Sequence, residues 1–120
     1  MRRMVAGPTR NVVTELSRGV VEHCVLALIS DEESYAFDIV RALGEQGLVT
    51  SEGTMYPLLA RLRRDGLAAT TWRESEAGPP RRYYRITDEG RRVLSAFVAN
   101  WNGFRNAVDA LMAGARAGGV

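Results

Sequence analysis

Cysteine, histidine, lysine and long apolar runs are what this sequence of 120 residues has least of. Its one cysteine, Cys24, and one histidine, His23, stand side by side in the apolar stretch V-V-E-H-C-V-L-A-L. A lone thiol excludes an internal disulfide, and without clustered Cys and His no metal site is expected. Cys24 therefore reads as a buried small hydrophobe, and His23 as a core or interface residue rather than a catalytic base. There is no G-x-S-x-G element, no phosphate-binding glycine loop and no carboxylate pair in an evident cleft, so neither an enzyme nor a cofactor is expected. No apolar run approaches the roughly 18 residues of a membrane span, and no signal-peptide apolar region is present. The expectation is a cytoplasmic protein without a membrane partner.

Lysine is absent altogether: all sixteen basic residues are arginine, set against fourteen acids for a net charge of +2. The choice of arginine over lysine fits coding bias, so position carries more than identity. Ser51 to Arg92 holds nine arginines against six acids, while Asp31, Glu32, Glu33, Asp38 and Glu45 gather upstream. With 46% apolar and 25% charged residues, this is the composition of an ordinary single globular domain with a modest core.

The most informative segment is Ser51 to Gly66. Met55, Leu58, Leu59 and Leu62 recur at helical spacing and share one face, which would dock into a core. The opposite side carries Gly53, Pro57, Ala60 and Arg64, flanked by Thr54, Tyr56 and Arg61. A face that is small at its centre and basic at its end suits close approach to a polyanion, and the reading is a helix that enters a DNA groove. Pro57 belongs in a first turn, so the helix is expected to start near Gly53 or Thr54 and to end at Asp65-Gly66.

Around it the elements fall in a recognisable order. Residues 1–9 read as a flexible arm. From Arg10 to Ser30, Val13, Leu16, Val20, Val21, Cys24, Val25, Leu28 and Ile29 predict one long helix. Ser34 is expected to cap a second helix whose buried side is Phe37, Ile39, Val40 and Leu43, ending at Gly47. After the third helix, L-A-A-T-T-W-R-E and R-R-Y-Y-R-I-T favour strands, with E-S-E-A-G-P-P as an irregular tip between them. Arg81 and Arg82 follow that tip, where a projecting wing would meet a phosphate backbone. Trp72 reads as packing on the hairpin, and of Tyr83 and Tyr84 one should face the core and one the outside. Thr87 or Asp88 caps a last helix in which Leu94, Phe97, Trp101, Phe104, Val108 and Leu111 form an unbroken heptad seam. So large a seam exceeds what this domain needs internally and is assigned to a second copy of the chain. Gly114 to Val120 is expected to be disordered.

The fold class is thus mainly α with a two-stranded β-hairpin: a winged helix-turn-helix domain over residues 10–87, a dimerisation helix over 88–113 and a tail over 114–120. The segments S-Y-A-F-D-I, E-G-T-M-Y-P-L-L-A-R-L-R-R-D-G-L and G-P-P-R-R-Y-Y-R-I-T-D-E-G resemble the PadR family of bacterial transcriptional regulators, over about Val20 to Leu111. The short terminal helix is similar to the small-subunit branch, which includes a lactococcal multidrug-sensing repressor. The resemblance implies a homodimeric repressor on a pseudo-palindromic double-stranded DNA operator. Thr54, Tyr56, Pro57, Arg61 and Arg64 would touch bases and backbone, Arg81 and Arg82 would serve the wing, and Tyr35 would bond a phosphate. Ala36 and Phe37 depart from the glycine and tyrosine common there, which puts a second phosphate contact in doubt. Trp101 follows Thr87 by fourteen residues, as the pore-lining tryptophan does in that lactococcal relative. Paired indoles, with Phe97 and Phe104 beside them, would offer a slot of about 7 Å to a planar aromatic effector. The competing readings are a winged-helix protein-interaction module without DNA binding and a repressor that needs no ligand.

Overall fold

The computed structural model describes residues 12–48 and 52–119; the expected N-terminal arm and the Val49-Thr50-Ser51 approach to the third helix lie outside them. Within the described residues, five helices and three strands follow in the order α1 (Val12–Ser17), α2 (Val21–Asp31), β1 (Ser34–Tyr35), α3 (Ala36–Glu45), α4 (Glu52–Arg64), β2 (Ala68–Ser75), β3 (Gly78–Ile86) and α5 (Asp88–Gly119).

The single helix expected over residues 10–30 is two. Gly19 adopts φ +83°, a left-handed conformation that a helix cannot continue through, so α1 stops and α2 starts anew. The break lets α1 turn toward the end of α3, where Ser17 Oγ donates to the Leu48 carbonyl at 3.1 Å. The second helix also differs at its start. Ser34 is drawn into a two-residue strand and its hydroxyl donates to the Glu32 carbonyl, leaving Tyr35 as the extended residue before α3. Of the four residues expected on the buried side of α3, Ile39 and Leu43 are buried and Val40 half-buried, but Phe37 is 49% exposed. One residue's rotation, 100° along a helix, separates it from that face.

Helices α3 and α4 end alike. Gly47 and Gly66 take φ +75° and +78°, and the amides of Leu48 and Leu67 reach back to the carbonyls of Leu43 and Leu62 at 2.9 Å each. These glycine-terminated caps satisfy carbonyls that would otherwise be stranded. In α4 the described helix begins at Glu52, so Pro57 lies in its second turn rather than its first. The forfeited amide bond would have gone to Gly53, on the exposed side, where water satisfies a carbonyl at least cost.

β2 and β3 form the hairpin, and β1 adds a third antiparallel strand, giving the order β1-β3-β2. The tip is tighter than expected: Ser75 pairs with Gly78, only Glu76 and Ala77 turn, and Pro79 and Pro80 lie within β3. Prolines are tolerated there because β1 pairs only as far as Tyr83 and the ladder with β2 is irregular between Arg73 and Ser75. The core is the meeting of α2, α3, α4 and the inner sheet face, including Leu26, Ile29, Ile39, Met55, Leu59, Leu62 and Tyr84.

Thr87 caps α5: its Oγ1 accepts from the Gly90 amide at 3.0 Å and donates to the Gly66 carbonyl at 2.6 Å. At Gly90 a Cβ would lie 2.2 Å from the Leu67 carbonyl oxygen, so glycine is what allows α5 to touch the start of β2. The helix then runs through Gly114 to Gly119, not stopping where a disordered tail was expected. Ala113 and Ala115 are strong helix formers and offset the glycine between them. At 1.5 Å per residue α5 is about 48 Å long, and only its first turns, through Val93 and Leu94, pack on the core.

Candidate nucleic-acid interface

Helix α4 buries Met55, Leu59 and Leu62 to 1% exposure or less and half-buries Leu58, which turns the other side outward. Gly53, Thr54, Tyr56, Pro57, Ala60, Arg61 and Arg64 are all exposed. The two arginines are not equivalent. Arg61 donates to Glu22 of α2 at 3.1 Å and so ties α4 to the neighbouring helix. Arg64 has 71% of its side chain exposed and meets the adjacent Asp65, at 3.7 Å.

On the wing, strand alternation divides what the sequence set side by side. Arg81, Tyr83 and, across the register, Arg73 and Tyr35 share the outer face, because Arg73 pairs with Arg81 and Tyr35 with Tyr83. Tyr84 is the core-facing tyrosine, at 6% exposure. The outer residues form one cluster. The Tyr35 and Tyr83 rings lie 5.9 Å apart, with the Arg81 guanidinium 4.8 Å from Tyr35 and that of Arg73 4.5 Å from Tyr83. Arg73 also pairs with Glu33, just before β1. Arg82 turns to the opposite face and stacks on Trp72 at 4.7 Å. Trp72 itself is 60% exposed, so it carries Arg82 instead of packing into a core. Arg73 and Glu33 are forty residues apart in the chain, so sequence pattern does not connect them. The signal available was the spacing of Arg73 and Thr71 on one strand face, which is weak without the register.

The seam of α5 is graded. Leu94 packs the domain's own core; Phe97 and Trp101 are half-buried; Phe104 and Leu111 are 64% and 71% exposed and Val108 39%. A continuous aromatic stack runs along it. His23 of α2 lies parallel to Phe97 at 4.1 Å, Phe97 is 5.6 Å from Trp101, and Trp101 is 6.2 Å from Phe104. His23 Nδ1 donates to the Gly19 carbonyl at 3.1 Å, which fixes the ring's tilt. Apolar cavities flank the stack. One of about 860 Å³ is lined by Leu16, Val20, His23, Phe97 and Trp101, and another of about 510 Å³ by Leu16, Val21, Cys24, Trp101 and Val108. Burial pushes the Cys24 thiol pKa up, which disfavours the nucleophilic thiolate.

Three helices packed on one another, a hairpin projecting beside the third, and a terminal helix leaving the domain define a winged helix-turn-helix protein. Residues 25–96 match the model of the transcriptional regulator PadR-like family, and the chain belongs to that family. It is 36% identical over 81 residues to transcriptional regulator Rv3488 of Mycobacterium tuberculosis, covering 68% of this chain and 75% of the relative. A PadR-like transcription factor from Bacteroides fragilis superposes with a TM-score of 0.69 at 39% identity, covering 85% of this chain and 99% of that one. A PadR-like regulator from Bacillus cereus gives 0.75 at 37%, covering 82% and 96%. PadR-like regulators are DNA-binding and non-enzymatic, and this chain is a transcriptional regulator of that kind. Among the described residues no helix is long and apolar enough to cross a membrane.

Proposed function

We propose that this chain is a homodimeric, sequence-specific repressor that works in the cytoplasm and reads a pseudo-palindromic operator with two copies of α4. The single observation that carries this reading is the solvent-exposed outward face of α4, which ends in Arg64. Thr54, Tyr56 and Pro57 would approach base edges, Arg61 and Arg64 the backbone, and Tyr35, Arg81 and Arg82 the phosphates beside the wing. A two-fold site needs two heads about 34 Å apart, and the exposed end of the α5 seam supplies the surface for pairing. Retention of a promoter-region duplex should fall steeply as salt rises, and Arg64→Ala and Arg81→Ala should each weaken it while leaving the circular dichroism spectrum unchanged. Salt-indifferent binding, or neither variant having an effect, would transfer the chain to the class of protein-interaction modules.

The effector half of the proposal rests on Trp101. Its indole edges both of the apolar cavities, between the seam and the α1–α2 turn, where a planar aromatic compound would lie against Phe97 and Phe104. Such a compound relieves repression only by favouring one spacing of the heads over the other; a tenfold loss of DNA affinity needs about 1.4 kcal/mol of that preference. Planar aromatic compounds should quench Trp101 in a Trp72→Phe background. Unchanged emission across a broad panel leaves a repressor without a ligand.

A further inference from the structure

We infer that Arg73 is a backbone-phosphate ligand of the wing and that Glu33 is an intramolecular anion occupying its guanidinium until DNA displaces it. The inference rests on the wing reading above and adds a residue and a competitor to it. Arg73 and Arg81 are direct cross-strand partners on the same sheet face. Like charges so placed repel, so the two arginines do not stabilise the hairpin through their charges. Here both are held, each guanidinium lying over one ring of the Tyr35–Tyr83 pair. Stacking leaves the guanidinium edges, where the N–H donors are, free to take an anion. That an anion fits is already visible, since the Glu33 carboxylate sits on Arg73. Its side chain is 21% exposed and that of Arg73 52%, so the outer edge of the pair is open to a larger polyanion. A phosphodiester, though tetrahedral where a carboxylate is planar, also spreads one negative charge over two oxygens and takes the same fork of guanidinium donors.

The consequence has a sign that a purely structural pair would not have. If Glu33 competes with phosphate, removing its charge strengthens DNA binding; if it only braces the wing, removing it weakens binding. Affinities of the full chain for a labelled duplex selected from a random pool, and for an unselected duplex, would be measured over a salt series for the wild type, Glu33→Gln, Arg73→Gln and the double variant. Glu33→Gln should bind both duplexes several-fold more tightly. Arg73→Gln should bind both more weakly, its log-affinity against log-salt slope being shallower by about 0.9, the value for one lost phosphate contact. The gain from Glu33→Gln should vanish in the Arg73→Gln background. Weaker binding by Glu33→Gln, an unchanged Arg73→Gln slope, or a Glu33→Gln gain that survives without Arg73 each overturns the inference. A wild type that binds neither duplex overturns the wing reading itself. Thermal unfolding of each variant checks that the fold is kept.

Discussion

Gly90 and Thr87 show how single residues set the junction between the DNA-binding domain and its long helix. A Cβ at position 90 would overlap the Leu67 carbonyl, which already accepts the Thr87 amide at 3.1 Å, and backbone cannot yield as a flexible side chain can. Gly90→Ala should therefore destabilise the protein by about 1–3 kcal/mol, despite alanine's better helix propensity, read from the denaturant midpoint. Thr87→Ala removes both the cap to Gly90 and the bond to Gly66 and should cost about 1–2 kcal/mol by the same measurement. The sequence narrows the cap to Thr87 or Asp88, and the structure assigns it to Thr87. The need for glycine at 90 was not, because the atom it avoids lies in another element. Cys24 carries a third expectation at this scale. Its pKa is raised by burial, so fewer thiolates exist at a given pH, and alkylation at mildly alkaline pH should be slower in the folded protein than in denaturant.

Among the elements, α4 was the easiest to read, since a core face and an opposed basic face fill one periodic segment. What periodicity could not reveal is that Arg61 is engaged by Glu22 of another helix while Arg64 meets its own neighbour, Asp65. Arg61→Ala should thus reduce stability by about 0.2–1 kcal/mol, as for an exposed pair, in addition to any loss of DNA affinity, whereas Arg64→Ala should affect affinity alone. In the wing, sequence pattern indicates two strands and a loose tip. A two-residue strand such as β1 has no periodicity to detect; it forms because Ser34 and Tyr35 find Tyr84 and Tyr83 across the sheet. Likewise the likeness of Arg81 and Arg82 in sequence hides opposite placement, one on Tyr35 and the other on Trp72. Acrylamide should quench Trp72 strongly in Trp101→Phe, in keeping with its exposure, and Trp101 less in Trp72→Phe.

At the scale of the whole molecule, α5 leaves Phe104, Leu111 and Met112 more than half exposed along a helix that extends well beyond the core. Apolar surface of that kind is stable when paired; with the proposed homodimer held together through it, Leu111→Asp should lower the sedimentation coefficient to that of a monomer while the circular dichroism of the winged domain is kept. Operator affinity should fall with it. A dimer that persists would place the interface elsewhere. The chain alone determined the two faces of α4, the succession of its longer helices and hairpin strands, the glycine stops at Gly47 and Gly66 and the family, because periodicity, glycine placement and contiguous motifs are local properties. Only tertiary structure decided the rest: the break at Gly19, the third strand, the close approach at Gly90, and which arginine meets which acid or ring. Those outcomes depend on atoms far apart in the chain, as with Glu22 and Arg61, Glu33 and Arg73, or Ser30 and Arg91. The α4 face was written in one segment and could be read from it; the Arg73–Tyr83–Tyr35–Arg81 cluster exists only because sheet register brings three strands together.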